Sequence, residues 1–277
     1  MNLSNFKELI NAEIINSTQL SELSGFSAKL SNLSYANAFF TNNEDEAKMA
    51  AILGAYAIVS EKKLEIIDSD IAYFRVDSLD IAIKRLIKFL CIDKYVFLIN
   101  ELDCECFKRL NYQPLKSNFK DDLELFCSNH ILVSCDEEYL KLLGLSYKKP
   151  EYSINLVKNS SFFYQDIRIN NEYHQNINIP KIFIKSVAIA SSLNINYSNV
   201  KLLDYVFFNE ENIQVKMSEA SKVVFFENNE IVISEIKKYL DLFEITELKN
   251  YTFMLYKGDK IKFLEQINNK QDKGLFL

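Results

Sequence analysis

The chain has 277 residues, a net charge of −6 and a pI near 5.2, with 48% apolar and 25% charged residues. This length suits about two domains, and the composition excludes a wholly disordered, collagen-like or coiled-coil protein. The acidic balance argues against nucleic-acid binding, which usually shows as a basic patch on a basic domain.

Glycine is scarce, with 5 residues where an average chain of this length has about 19. The dinucleotide-binding fingerprint, the phosphate-binding loop and the nucleophile elbow need glycines at fixed spacing, and this chain contains none of these motifs. The two histidines, His130 and His174, form no metal-binding pair. These absences lower the expectation of an enzyme.

The N-terminal part, residues 1–149, is predicted to be rich in helices with short strands. The first sixty residues are predicted to be helical, because apolar residues at helical spacing predict a helix over Phe6–Ile14 and the acids after Asn43 predict the start of another. Asp68-Ser69-Asp70 is typical of a hairpin turn, and Ser78 is expected to cap an amphipathic helix. The patterns that follow predict a strand at Tyr95–Ile99, a helix at Leu102–Leu110, strands at Leu123–Phe126 and Ile131–Val133, and a helix that ends at Gly144.

Pro150, flanked by charged residues, marks the boundary to a second part, residues 150–277. Helices are predicted at Pro180–Leu193 and Val200–Phe208, and Asn228-Asn229 is predicted to be a hairpin turn. The predicted strands are Ile213–Met217, Val223–Phe226, Ile231–Ser234 and Tyr251–Tyr256. Because a helical part precedes mixed helices and antiparallel strands, we predict the α+β class.

All five cysteines lie between residues 91 and 135, and their odd number fits free thiols in a reducing compartment. The residues with the chemistry of zinc ligands are Cys104, Cys106, Cys127, His130 and Cys135. Since Cys-x-Cys is not the spacing of a zinc knuckle, we expect neither metal nor cofactor, although the sequence leaves metal binding by this cluster open. The alternative is an effector or enzyme with an unrecognised Cys/His site near residues 127–135.

Aromatic residues occur in adjacent pairs. Neighbouring side chains of a strand face opposite ways, so each such pair either lies in a core with two covered faces or exposes a ring. Exposed rings mark protein interfaces. The possible interface residues are Tyr205, Phe208, Phe162 and Phe225.

One segment resembles a known family. Ser198–Phe208, which includes Leu202-Leu203-Asp204-Tyr205, is followed by the alternating Ile213–Met217, and together they resemble the helix–turn–strand of type VI secretion baseplate subunits of the TssG kind. The resemblance covers about residues 180–256, and the family's glycine-rich and tryptophan-containing stretches are absent. It implies a non-catalytic adaptor that joins other wedge subunits of a contractile injection machine.

We therefore predict a structural or adaptor subunit of a larger bacterial assembly that is not an enzyme and whose partners are other protein subunits. The first fifteen residues do not form a signal peptide, and the apolar runs are shorter than the roughly 20 residues that span a bilayer. We expect a cytoplasmic protein without membrane insertion, and the sequence leaves any small-molecule ligand unknown.

Overall fold

A computed structural model describes residues 1–16, 18–19, 22–157, 161–198, 200–242 and 252–269, and it confirms the α+β class. The helices are α1 (Leu3–Ile10), α2 (Glu44–Ile52), α3 (Leu79–Leu90), α4 (Glu101–Arg109), α5 (Phe119–Ser128), α6 (Glu137–Leu143), α7 (Ile184–Ser192), α8 (Glu230–Leu242) and α9 (Lys260–Asn269). The strands are β1 (Glu13–Ile14), β2 (Gly25–Ser27), β3 (Asn37–Phe40), β4 (Ala57–Ser60), β5 (Ala72–Arg75), β6 (Tyr95–Leu98), β7 (Ile131–Ser134), β8 (Ile154–Leu156), β9 (Gln165–Ile169), β10 (Glu172–Ile177), β11 (Asp204–Phe208), β12 (Lys222–Phe226) and β13 (Thr252–Tyr256). Within the described residues, no helix combines the length and the apolar character needed to cross a bilayer.

The chain forms two compact units. Unit 1 comprises residues 1–99 and 113–149, and unit 2 comprises residues 100–112 and 150–277. From Pro150, where we predicted the boundary, the chain belongs to unit 2. Unit 2 also takes in α4, a segment that we had assigned to the N-terminal part.

Unit 1 is built on a five-stranded sheet with the order β1-β5-β4-β3-β2. Strands β2 to β5 are parallel, and β1 pairs antiparallel with β5. On one face, Phe40, Val59 and Phe74 belong to the apolar core that includes α1 and α3. On the other face, Ile58 and Tyr73 pack with α2. Both faces of the central strands are therefore buried, as is usual for a parallel sheet.

This sheet corrects our prediction that the first sixty residues are mainly helical. Strands β2, β3 and β4 have only three or four residues each. With both faces buried they show no alternation of polar and apolar residues, so a short apolar run does not distinguish them from a buried helix. The predicted hairpin at Asp68–Asp70 is also wrong, because β5 runs parallel to β4.

A second, two-stranded parallel sheet of unit 1 pairs β6 with β7. Three predictions are confirmed in this region: Ser78 caps α3 by accepting from the Ile81 N–H, Tyr95–Leu98 forms a strand, and α6 ends at Gly144 with φ +66°. The predicted strand Leu123–Phe126 is wrong. It lies inside α5, whose first turn is capped by the Asn118 side chain.

Unit 2 contains two three-stranded sheets. Strands β8, β9 and β10 form an antiparallel meander, and β12 lies between β11, which is antiparallel to it, and β13, which is parallel. The predicted strand Ile231–Ser234 is instead part of α8. Asn228-Asn229 is not a hairpin turn, because the Asn229 side chain caps α8 by accepting from the N–H groups of Ile231 and Val232.

The helix predicted at Val200–Phe208 is wrong, because Asp204–Phe208 forms strand β11. Tyr205 pairs with Phe225 across the sheet, and the Phe163 ring contacts both Tyr205 and Phe207. The alternate residues of β11 pack on the other face against Phe263 of α9. An apolar run that is buried on both faces has no strand signature, and the helix implied by the TssG resemblance is absent here.

Asparagine takes the place of glycine in the tight turns. Among the described residues, nine residues other than glycine have positive φ, and seven of them are asparagines. Asparagine tolerates the left-handed region because its short polar side chain bonds locally. The scarcity of glycine therefore does not mean a scarcity of tight turns. Asn170 (φ 46°) and Asn171 (φ 74°) form the turn between β9 and β10.

We expect Asn171→Ala to lower the free energy of unfolding by about 1 kcal/mol, because alanine is strained at positive φ. Asn171→Gly should leave it unchanged or raise it slightly, since a two-residue hairpin turn favours Asn-Gly. Urea denaturation measures both changes.

The matched control is Asn170→Gly, which removes two side-chain hydrogen bonds, from Ser153 N–H and to the Ala188 carbonyl. Asn170→Gly should lower the free energy of unfolding by about 1–3 kcal/mol, although the backbone conformation at this position suits glycine. An Asn171→Ala variant as stable as the wild type would contradict this account of the turn.

Candidate functional site

The cysteine and histidine residues near residues 127–135 do not converge. Cys127 lies in the last turn of α5, His130 precedes β7 and Cys135 follows it. Since a strand rises about 3.3 Å per residue, the backbones of His130 and Cys135 are roughly 16 Å apart. The His130 ring packs edge-on against Tyr95, with 5.3 Å between the ring centroids.

Cys127 lacks the environment of a nucleophile. Its Sγ donates to the Phe26 carbonyl over 3.9 Å, and burial raises the pKa of the thiol to about 11. The thiolate, and not the thiol, attacks an electrophile, so near neutral pH Cys127 is almost entirely in its unreactive form. The geometry does not support a Cys/His catalytic pair at this position.

We expect the alkylation rate of Cys127 by iodoacetamide to rise about tenfold per pH unit between pH 7 and 9, because the thiolate fraction does so below a pKa of about 11. Peptide mass spectrometry of the labelled protein measures this rate, with Cys127→Ser as the blank. A rate that is already constant above pH 7 would show an activated thiol.

Metal binding by the cysteine region also finds no support in the geometry. Cys104 and Cys106 are buried in α4, whereas Cys127 and Cys135 belong to unit 1. Over the described part of the chain, no group of three or more His, Cys, Asp or Glu residues is arranged to hold a metal ion.

The four residues named as a possible interface lie in the aromatic core of unit 2. Phe162, Phe208 and Phe225 are each at most 1% exposed. Tyr205 is partly exposed, but its ring lies 4.5 Å from that of Phe163, and its hydroxyl donates to Asn178 Oδ1. Burial raises the pKa of Tyr205 to about 12. In this fold the adjacent aromatic pairs fill a core with two covered faces.

Tyr205→Ala should therefore lower the free energy of unfolding by about 2–4 kcal/mol, somewhat less than the loss of a fully buried aromatic ring. Thermal or urea unfolding measures the loss. Tyr173→Ala is the control, since that ring is 52% exposed and should change stability by less than about 0.5 kcal/mol. Equal stability of the two variants would contradict the core position of Tyr205.

Polar side chains gather where the parallel strands of unit 1 end. Thr41 and Asn42 follow β3, and Ser60 and Glu61 stand at the end of β4. The helices α2 and α3 also begin at this edge, each after a parallel strand. We call Thr41, Asn42, Glu46, Ser60 and Glu61 the carboxyl-edge network.

Asn42 connects the two strand ends. Its Oδ1 accepts from the Glu61 N–H at 2.8 Å and from Ser60 Oγ at 3.2 Å, and its Nδ2 donates to Glu61 Oε2 at 2.9 Å. Thr41 Oγ1 donates to Glu46 Oε2 at 2.5 Å. Thr41 and Ser60 are buried, whereas Asn42 is half-buried and Glu61 is exposed. The network thus has an inner layer that positions an outer layer in contact with solvent.

Carboxylates lie at the start of both helices at this edge. Glu61 Oε1 accepts from the first N–H of α3, that of Leu79, at 2.8 Å. The first turn of α2 carries Glu44, Asp45 and Glu46. Carboxylates of the chain therefore already occupy the positive ends of both helices, where an anion would otherwise bind.

This network was not among the predicted sites, because none of its members forms a known motif. A usable signal was present in two places. The apolar runs ending at Phe40 and at Val59 are each followed at once by two polar residues, Thr41-Asn42 and Ser60-Glu61. Such polar residues at the ends of parallel strands lie at one edge of the sheet, where open α/β sheets bind ligands.

Comparison with known proteins assigns no family to this chain. No known protein family and no curated protein matches the sequence. Two crystal structures of MurF from Acinetobacter baumannii resemble the chain, with sequence identities of 11% and 12% and TM-scores of 0.36 and 0.34, respectively. Each match covers 48% of this chain, and the two matches cover 34% and 35% of the MurF chains. The UDP-N-acetylmuramoylalanyl-D-glutamyl-2,6-diaminopimelate–D-alanyl-D-alanyl ligase of the same organism resembles it at 9% identity and a TM-score of 0.47, covering 88% of this chain and 77% of that one.

These structures correct two predictions. We predicted that the chain is not an enzyme and that it is a structural or adaptor subunit of an assembly, whereas the solved structures that resemble it are ligases. The adaptor function is therefore not carried further. With TM-scores below 0.5, the ligases' reaction is not transferred to this chain, which spans about a third of the first two. The resemblance to TssG subunits stays a prediction.

Proposed function

We propose that the chain binds a small polar molecule at the carboxyl-edge network of unit 1. The observation that carries the proposal is the position of Asn42. Its amide joins the ends of two parallel strands and contacts the Glu61 carboxylate, which in turn holds the start of α3. Ligands of open α/β sheets bind in the crevice outside the carboxyl ends of the strands, where such groups converge.

The solvent-facing groups of the network determine how a ligand would bind. The Asn42 amide offers a donor and an acceptor, and the Glu61 carboxylate offers only acceptors. Because Asn42 is half-buried and Glu61 is exposed, both can exchange a partner within the protein for a ligand group. The buried Ser60 hydroxyl donates to Asn42 Oδ1, and the buried Thr41 hydroxyl holds Glu46 of the same network.

The charge at the edge restricts the ligand class. Two like charges 4 Å apart repel by about 1 kcal/mol in bulk water and about 4 kcal/mol near a protein surface. A phosphate at the start of α3 would lie this close to Glu61. We therefore propose a neutral or cationic ligand rich in hydroxyl or amine donors.

Backbone NMR of the full chain tests the proposal with three sets of probes: neutral sugars and polyols, amines, and phosphates. A probe from the first two sets should shift the amide signals of residues 41–43, 60–62 and 77–79. Asn42→Ala should weaken that probe's binding about tenfold, because it removes about one net hydrogen bond and releases Glu61. The phosphates should shift none of these signals.

The control is Tyr35→Phe, which removes a hydroxyl contact with Tyr56 at the opposite edge of the same sheet. This variant should bind like the wild type. Binding that is equally tight in Asn42→Ala, or shifts confined to residues away from the carboxyl ends of the strands, would refute the proposed site.

A further inference from the structure

The segment that contains α4, residues 100–112, interrupts unit 1 in the sequence. Residues 100–112 belong to unit 2, whereas the residues on both sides of them belong to unit 1. The segment begins and ends beside the same strand of unit 1. The Ile99 N–H donates to the Ser134 carbonyl and the Leu115 N–H to the Val133 carbonyl, each at 2.9 Å. The residues that flank this segment, Ile99 and Leu115, are thus bonded within unit 1, while the side chains of α4 pack within unit 2.

The first contact of α4 within unit 2 is made by Asp103, which is 2% exposed. Its Oδ1 accepts from Ser186 Oγ of α7 at 2.7 Å, and its Oδ2 accepts from the Asn100 N–H in the capping box of α4. The Lys185 ammonium lies 3.9 Å from Oδ2. This buried carboxylate is bonded at both of its oxygens.

The second contact is made by Arg109 in the last turn of α4. Its Nη1 donates to the Leu202 carbonyl at 2.7 Å and lies 2.9 Å from Glu227 Oε2. Its guanidinium also lies over the Phe183 ring. The other oxygen of Glu227 accepts from the N–H groups of Asn228 and Asn229.

The contact with Glu227 is an ion pair and not an aligned hydrogen bond, because Oε2 has no hydrogen-bond partner among the described residues. Glu227 is only 7% exposed. A buried carboxylate without its cation is strongly unfavourable, whereas the intact pair adds little net stability over an apolar contact. The intact pair therefore adds little to the docking of α4, whereas removing one partner should weaken it.

Between these two contacts α4 buries a short apolar face that includes Cys104, Cys106 and Phe107. The two thiols are 3% and 0% exposed, and burial raises the pKa of Cys106 to about 12. They are therefore protected from thiol reagents while the helix is docked.

We propose that α4 docks reversibly and that it separates from the rest of unit 2 as an intact helix. The Arg109–Glu227 ion pair holds the docked helix in place. The thiols of Cys104 and Cys106 become accessible to reagents only when the helix has separated. This opening of α4 does not depend on the ligand site proposed for unit 1. Local opening of one helix at a free energy below that of global unfolding is common in proteins.

Native-state labelling of the full chain with iodoacetamide, followed by mass spectrometry of each cysteine peptide, tests the proposal. Glu227→Gln keeps the shape of the side chain and removes its charge. It should speed the labelling of Cys104 and Cys106 about tenfold, which corresponds to a loss of about 1.4 kcal/mol of docking free energy. Cys91 and Cys127, which lie in unit 1, should label at the wild-type rate.

Lys108→Ala is the control on the same helix, because it removes an ion pair with Glu105 in which the lysine side chain is 48% exposed. It should leave all labelling rates unchanged. Arg109→Lys keeps the charge and should give a smaller acceleration than Glu227→Gln. Unchanged labelling of Cys104 and Cys106 in Glu227→Gln would overturn the role of the ion pair. Equal acceleration of all the cysteines would show that α4 opens only with global unfolding.

Discussion

Burial of both faces of the five-stranded sheet in unit 1, and of strands β11 and β12 in unit 2, is the constraint on which the structure depends. In unit 1, Phe40, Val59 and Phe74 fill one side of the parallel sheet while Ile58 and Tyr73 fill the other. No polar side chain fits within such strands without a bonding partner, so polar residues concentrate where the strands end. The carboxyl-edge network is a direct result of this arrangement.

The same constraint shapes unit 2. Strands β11 and β12 have aromatic rings on both faces, with Phe163 on one side and Phe263 on the other. The polar groups of this core lie at its margins, where Arg109 meets Glu227 at the end of β12. Each unit thus combines an apolar sheet with charged or amide groups at the ends of its strands.

This constraint also explains which elements could be predicted from the sequence. Helix α3 has a continuous buried apolar face and a Ser78 cap, so its periodicity and its start are both readable. Strand β11 has no polar face, and its run of apolar residues fits a buried helix equally well. Asn229 shows a second ambiguity, because an asparagine pair favours both a hairpin turn and a helix cap. Which of the two forms depends on the tertiary pairing, here the parallel pairing of β12 with β13.

The candidate site was less predictable than the fold. Clustering along the chain drew attention to Cys127, His130 and Cys135, but a strand holds the last two apart. Asn42 and Glu61 are 19 residues apart, and they meet only because β3 and β4 are parallel neighbours. Their proximity follows from the sheet order, which the periodicity of a single sequence does not contain.

The assignment of α4 to unit 2 has a practical consequence for dividing the protein. A fragment of residues 150–277 would keep Glu227 and Ser186 but lack the helix that covers them. A fragment of residues 1–149 would carry α4 without the core in which its apolar face is buried. Neither unit is contiguous in sequence, so a cut at Pro150 divides unit 2 into two incomplete pieces. Replacing residues 100–112 by a short linker in residues 1–149, and joining residues 100–112 to the start of residues 150–277, would give two fragments that follow the division into units.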